Sequence, residues 1–272
     1  MSMIMRFLGL LVVSTLALSG AQITNGKVSI LEFDAQEAQM LYWDKKRISL
    51  WEHPTNPQKR IAFLPISYYH DSPIDLEYTT AKTSQKIHLD FLKGDYAKEV
   101  LNVEPSKVSP PKEVLERIKK EAAEAKAIYN KTTPRRLWNS PFEIPLQSAI
   151  TSQYGNARVF NNTLQSYHSG TDFKAAMGTP ITASNSGKVV LVKERYFAGG
   201  SVIVDHGEGV YSVYYHLSAF RVKVGDEVRK GDVVGLSGAS GRVTGPHLHF
   251  GFVVGGISVE PMDFIAKVKE LF

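Results

Sequence analysis

His168 and Asp172 stand four residues apart in the run His168-Ser169-Gly170-Thr171-Asp172, and His247 and His249 stand two apart in His247-Leu248-His249. In an extended chain both spacings put the pair on one face, and a turn at Gly170 brings the first pair closer still. His216, in Tyr214-Tyr215-His216-Leu217, is a further imidazole in the same region. Imidazole and carboxylate bind a borderline cation such as Zn²⁺ at about 2 Å, and a catalytic site keeps one position open. Two neutral imidazoles and one carboxylate leave the ion a net positive charge, which acidifies water and polarises a carbonyl. The chain contains no cysteine, which excludes a thiolate nucleophile, a disulfide framework and a Cys-based zinc finger. Spacing leaves open which imidazoles hold an ion and which move protons. His206 lies in the turn-like run Asp205-His206-Gly207-Glu208-Gly209 and reads as structural, and His53, His70 and His88 are scattered singly.

These residues sit in the glycine-rich half of the chain. Seventeen of the 21 glycines lie between Gly155 and Gly256, which separates that half from what precedes it. From Trp138 onward, apolar runs punctuated by glycine predict strands at Val189–Val192, Ser201–Val204, Tyr211–Tyr215, Val233–Leu236 and His247–Val253, with no helical period until Asp263. This reads as an antiparallel β domain over 138–272. Upstream, Val28–Leu31, Ile48–Trp51, Ile61–Leu64, Ile74–Tyr78 and Ile87–Phe91 are strand candidates at sandwich-like spacing, giving a small β domain over 22–105. Ser109-Pro110-Pro111 introduces an amphipathic helix running to about Lys131 within a linker of 106–137. Val114, Leu115, Ile118, Ala122, Ala125 and Tyr129 form its apolar stripe, and Glu113–Arg117 and Glu116–Lys120 form i,i+4 pairs. The fold class is mostly β, α+β overall.

Of the 272 residues, 43% are hydrophobic and 22% charged, which is globular and excludes a multi-span membrane chain with its several long apolar runs. The net charge of +5 is spread along the chain, and no nucleic-acid partner is expected. Residues 1–21 read as a secretory signal: one cation at Arg6, an apolar stretch from Phe7 to Leu18, then Ser19-Gly20-Ala21. No cysteine follows it, so the expected product is exported, is not a lipoprotein and has no transmembrane span after cleavage.

Several further runs carry a resemblance. They are Thr151-Ser152-Gln153-Tyr154-Gly155 with Arg158; His168 to Phe173; Gly178-Thr179-Pro180-Ile181 with Ala183; Tyr214 to Ser218; Val224 to Gly231; and Gly241 with Thr244-Gly245-Pro246-His247-Leu248-His249-Phe250. In type and order they resemble the catalytic domain of the M23 zinc metallopeptidases, the LytM or lysostaphin-type peptidoglycan hydrolases, over about Ile150 to Pro261. The resemblance implies a LytM-like antiparallel β fold and one Zn²⁺ per chain held by His168, Asp172 and His249, with His216 and His247 as the catalytic histidines. No glutamate lies beside these clusters to serve as base, so imidazole is the group available for proton transfer and oxyanion stabilisation near neutrality. Asn162 stands where some Gram-positive relatives have a tyrosine.

The upstream region resembles, more loosely, the β-rich extensions of exported Gram-negative members. The implied function is a periplasmic D,D-endopeptidase acting on peptidoglycan cross-links, with D,D-carboxypeptidase trimming as the same chemistry on a terminal residue. Arg158 is a candidate for holding a substrate carboxylate. The alternative is a catalytically silent wall-binding or hydrolase-activating module; all five positions such modules lose are present here. A monomer is expected, with the N-terminal region restraining the groove.

Overall fold

The computed structural model describes residues 11–12, 21–37, 40–162 and 164–272. The signal expected at residues 1–21 falls outside these, apart from 11–12 and 21. With 43% of the described residues in strands and 12% in helix, the fold is mostly β, as expected.

Alternation along single strands builds the N-terminal part. In Ile74–Thr79, Ile74, Leu76 and Tyr78 point inward while Asp75 and Glu77 face solvent. It pairs with Ser84–Leu92 and Met40–Trp43 in a five-stranded sheet. A second, four-stranded sheet runs in the order Leu11–Val12, Val28–Asp34, Lys59–Pro65, Trp51–Glu52. Its two central strands are apolar on both faces. Leu31, Phe33, Ala62 and Leu64 pack against the first sheet, whereas Val28, Ile30, Ile61 and Phe63 join a different core. A sheet greasy on both sides must be covered on both sides. The single strand expected at Ile48–Trp51 is two strands, Lys46–Ile48 in one sheet and Trp51–Glu52 in the other. The chain changes sheets there, as strands do at sandwich corners.

The second face is covered by the C-terminal helix Pro261–Lys269, with Phe63 6.1 Å from Phe264 and Lys27 paired with Glu260 and Asp263. That helix starts two residues before Asp263 because Pro261 suits its first turn. The linker helix Lys112–Tyr129 turns most of its expected stripe inward, with Val114, Ile118 and Tyr129 half-buried, but departs from it at Leu115, Ala122 and Glu121. Leu115 is 40% exposed, while Glu121 and Ala125 are buried. Glu121 accepts the Tyr196 backbone N–H (2.8 Å) and binds Arg117 (2.6 Å), so Arg117 turns away from Glu113, and Glu116 pairs with Lys119 (2.9 Å) instead of Lys120.

The C-terminal half is a ten-stranded antiparallel sheet. Its path runs Ile150–Ser152, Thr171–Lys174, His247–Val254, Val210–Phe220, Gly199–Asp205, Gly187–Arg195 and Glu227–Val228, with three further strands paired beside it. Gly199–Asp205 is buried along its whole length, the pattern of a central strand covered on both faces. The core, with Phe250, Phe252, Tyr214, Phe173 and Trp138, is shared with the N-terminal sheet. A separate three-stranded sheet joins the two halves: Lys98–Leu101 lies parallel to Ala157–Phe160, which pairs with Leu164–Tyr167. Among the described residues no helix is long and apolar enough to cross a membrane.

Candidate metal centre

Register alone brings two of the acidic and imidazole groups together. Thr171–Lys174 pairs antiparallel with His247–Val254 so that Asp172 lies directly opposite His249 and Lys174 opposite His247. Directly opposed residues on adjacent strands share a face at about 5 Å. His168 enters from the loop before Gly170, where a Cβ would strike the Phe250 carbonyl and the His249 ring, so only glycine lets the turn close over the site.

His168 Nε2, Asp172 Oδ1 and His249 Nδ1 form a triangle with all three sides 2.9 Å. All three residues are buried and offer one ligand atom each. These three atoms are close enough together to hold one ion, each at an ordinary ligand distance of about 2 Å. The tautomers agree. The His168 Nδ1–H faces the Gln153 carbonyl (2.9 Å) and the Ser152 hydroxyl (3.0 Å), which leaves the Nε2 lone pair toward the triangle. The donor set fits a metal ion. Burial works to raise the Asp172 carboxyl, but the adjoining His168 and His249 imidazoles overcome it and hold it well below the usual carboxylate range. Burial pushes His249 down to about 4. Arg158 supports the cluster from behind, donating Nη2 to Asp172 Oδ2 (2.8 Å) and to Ser152 Oγ (2.9 Å).

His216 and His247 stand beside the triangle with ring centroids 4.7 Å apart. The His216 Nδ1–H donates to the Ser240 carbonyl and the His247 Nδ1–H to the Gly245 carbonyl, each at 2.8 Å, so both Nε2 atoms are left for chemistry. His247 Nε2 lies 3.7 Å from Asp172 Oδ1. Burial, then the neighbouring His247 and His249, lower His216 well below the ordinary imidazole range. Its backbone is left-handed, with φ +63°, in the middle of a strand whose register shifts at this point. Such strain persists only where packing enforces it. Here the His216 N–H bonds the Ala198 carbonyl, and Ser240 locks Gly200 and Leu217 through its hydroxyl. Ser240 was missed by sequence reasoning; its only signal is the small-residue run Gly238-Ala239-Ser240-Gly241.

Glu99 was missed as well. Carried in by Lys98–Leu101, it accepts hydrogen bonds from Asn156 Nδ2 (2.6 Å), Ser152 Oγ (3.0 Å) and Arg158 Nε (3.2 Å). No local motif marks it. Asn162, with φ +58°, follows the strand Ala157–Phe160 where the chain turns back toward Leu164–Tyr167. Tyr167 is stacked on Tyr68 (4.1 Å, 2°), inside a tyrosine seam between the two halves that includes Tyr96 and Tyr154. His206 is fully buried and holds Ser186 and Ser212, a structural role.

Residues 166–261 match the family model described as Peptidase family M23. The chain is 42% identical over 120 residues to peptidoglycan DD-endopeptidase ShyA of Vibrio cholerae, a match covering 38% of this chain and 28% of that protein. It is 39% identical over 104 residues to DD-carboxypeptidase/endopeptidase Mpg of Neisseria meningitidis, covering 38% of this chain and 24% of that one. The chain thus spans about a quarter of the length of the curated relatives it matches. A crystal structure of a candidate peptidase M23 from Pseudomonas aeruginosa superposes with a TM-score of 0.69 at 29% identity, over 89% of this chain and 94% of that one. That structural match takes in the N-terminal sheets as well as the ligand-bearing strands, and residues 166–261 of this chain are similar to peptidase family M23.

Proposed function

We propose that the chain is a zinc-dependent peptidoglycan peptidase that cuts peptide cross-links in the envelope, as a D,D-endopeptidase with D,D-carboxypeptidase trimming of stem ends. The observation that carries this is the 2.9 Å triangle of His168, Asp172 and His249, with two further imidazoles turned toward it. Two nitrogens and one carboxylate oxygen suit Zn²⁺, which when bound polarises an amide carbonyl and acidifies water. His168, Asp172 and His249 hold the ion. His216 and His247, each with Nδ1–H tied to a backbone carbonyl, keep Nε2 available to accept a proton from the attacking water or to donate to the developing oxyanion. Arg158 fixes the orientation of Asp172. The name of the Vibrio relative supports peptidoglycan as substrate, that of the Neisseria relative supports the paired D,D-carboxypeptidase and endopeptidase activities, and the leader-like opening supports the periplasm as the place of action.

Domain limits at 22–105, 106–137 and 138–272, and a monomeric state, are part of the same reading. So is a restraint by the N-terminal region. Lys98–Leu101 supports it by pairing beside the groove, where Glu99, Leu101 and Val103 face the centre. Truncation at Trp138 is a poor test, because it strips Val28, Ile30, Ile61 and Phe63 from the shared core.

Purified protein incubated with sacculi, with and without a chelator, tests the main reading through mass spectrometry of the released muropeptides. Chelator-sensitive release of uncross-linked stems is expected. Absence of any cleavage favours the silent wall-binding module.

A further inference from the structure

Three donors converge on the Glu99 carboxylate, and all three stand on the peptidase half. Ser152 ends the strand Ile150–Ser152, Arg158 lies on Ala157–Phe160, and buried Asn156 sits between them. Convergent donors of this kind, one of them a guanidinium, make a carboxylate-binding site whatever carboxylate fills it. The occupant arrives on a parallel strand at the edge of a small sheet, held by a short ladder and by Asn161, whose side chain bonds both the N–H (2.8 Å) and the carbonyl (2.9 Å) of Val103. Asn156 and Arg158 are mostly buried polar groups, so removing Glu99 leaves donors that demand a replacement anion.

The location ties this site to the reaction. One guanidinium, that of Arg158, touches both Glu99 (3.2 Å) and Asp172 (2.8 Å). A carboxylate in the place of Glu99 therefore lies within about two extended residues of the ligand triangle, at roughly 3.5 Å per residue. Between them runs a cavity of about 270 Å³ lined by Glu99, Arg158, Asp172, His216, Arg242 and His247. Arg242 has its guanidinium stacked over Phe160 (4.3 Å) and Phe197 (4.8 Å) and has no carboxylate partner among the described residues.

We propose that Ser152, Asn156 and Arg158, with Arg242 across the groove, form a subsite for a free carboxylate of the substrate, and that Glu99 fills it as an internal stand-in until the Lys98–Leu101 strand is displaced. The substrate class is then a peptide carrying a free carboxylate next to the scissile amide, and a carboxamide there is a poor ligand. This inference rests on the peptidase reading above, but its test reads binding.

The full-length chain carrying His216→Asn, which blocks turnover, is titrated by calorimetry with diacetyl-L-lysyl-D-alanyl-D-alanine and with the C-terminal carboxamide of the same peptide. Adding Glu99→Gln is expected to tighten binding of the acid about tenfold and to leave it at least tenfold tighter than the amide. Further addition of Arg242→Gln should erase most of that preference. Without Glu99→Gln the acid should still outcompete the amide, which keeps the test alive should the substituted chain fold poorly. Equal affinity for acid and amide with Glu99→Gln present, or binding of neither peptide, overturns the subsite. A negative sacculus assay does not alter these readings, so failure of the peptidase function and failure of the subsite remain distinguishable.

Discussion

Five side chains divide into two groups by whether they place an atom in the triangle: His168, Asp172 and His249 do, and His216 and His247 stand beside it. His168 gives its Nδ1–H to the Gln153 carbonyl and the Ser152 hydroxyl and turns Nε2 into the triangle, whereas His216 and His247 keep Nε2 beside it. Removing a vertex should therefore differ from removing a neighbour. His168→Ala is expected to lose the bound metal. His216→Asn is expected to keep it while turnover falls by about 10²- to 10⁴-fold, the usual contribution of a positioned acid or base. Asparagine is the right replacement because it tolerates the left-handed backbone at φ +63° without added strain. Elemental analysis beside an activity assay checks both. Metal retained by the first variant, or lost from the second, would contradict the division of roles.

At the scale of elements, the strap formed by Lys98–Leu101 and the residues to Val103 is fastened at its ends. Tyr96 reaches the Asn25 carbonyl, Ala97 accepts the Ala157 N–H (2.8 Å), and Asn161 grips Val103 from both sides. A short parallel ladder at an edge is among the easier parts of a fold to open. Asn161→Gly removes both bonds to Val103 while preserving the backbone at φ +47°, so the hairpin keeps its shape. Loss of two such bonds weakens the closed strap by about 1–3 kcal/mol. Turnover of cross-linked substrate by the full chain should rise several-fold with little change in the melting temperature. Unchanged or lower turnover with a normal melt would remove the restraint.

At the scale of the molecule, the two halves share one core, and a group buried deep in it reports on the stability of the whole. His206 is completely buried, packed edge-on to Phe142 at 5.0 Å and bonded to Ser186 and Ser212. Burial lowers it to about 4 from an ordinary 6.5. Between pH 4 and 6.5 the unfolded chain binds a proton there that the folded chain refuses, so stability rises with pH through that window. At pH 7 this contribution is complete, and acidification to pH 4 removes about 3 kcal/mol of it. Urea unfolding of wild type and His206→Gln at pH 7 and pH 4.5 isolates the effect. Wild type should lose more stability on acidification than the variant does; parallel losses would show that His206 titrates normally.

Much of this was written along the chain. Alternation in Ile74–Thr79 and the apolar runs of Gly199–Asp205 and His247–Val254 mark strands because side-chain direction has a period of two, and the same period puts His247 and His249 on one face. The spacing of His168 and Asp172 likewise named groups that meet in space, since Gly170 allows the tight turn between them. Partners distant in sequence left no such trace. The double-faced apolar pattern of Val28–Asp34 showed that both sides needed cover, but not that Phe264 supplies it. The linker helix presents Glu121 inward because its carboxylate accepts the Tyr196 backbone N–H there, something a helical period cannot foresee. Glu99 sits in a segment with no motif and meets Arg158 only because a parallel ladder brings two stretches more than fifty residues apart side by side. Local periodicity is a property of the chain itself, so sequence alone determined the strands and the reactive groups. Which carboxylate meets which guanidinium depends on how strands are ordered in space, and only the folded molecule decided that.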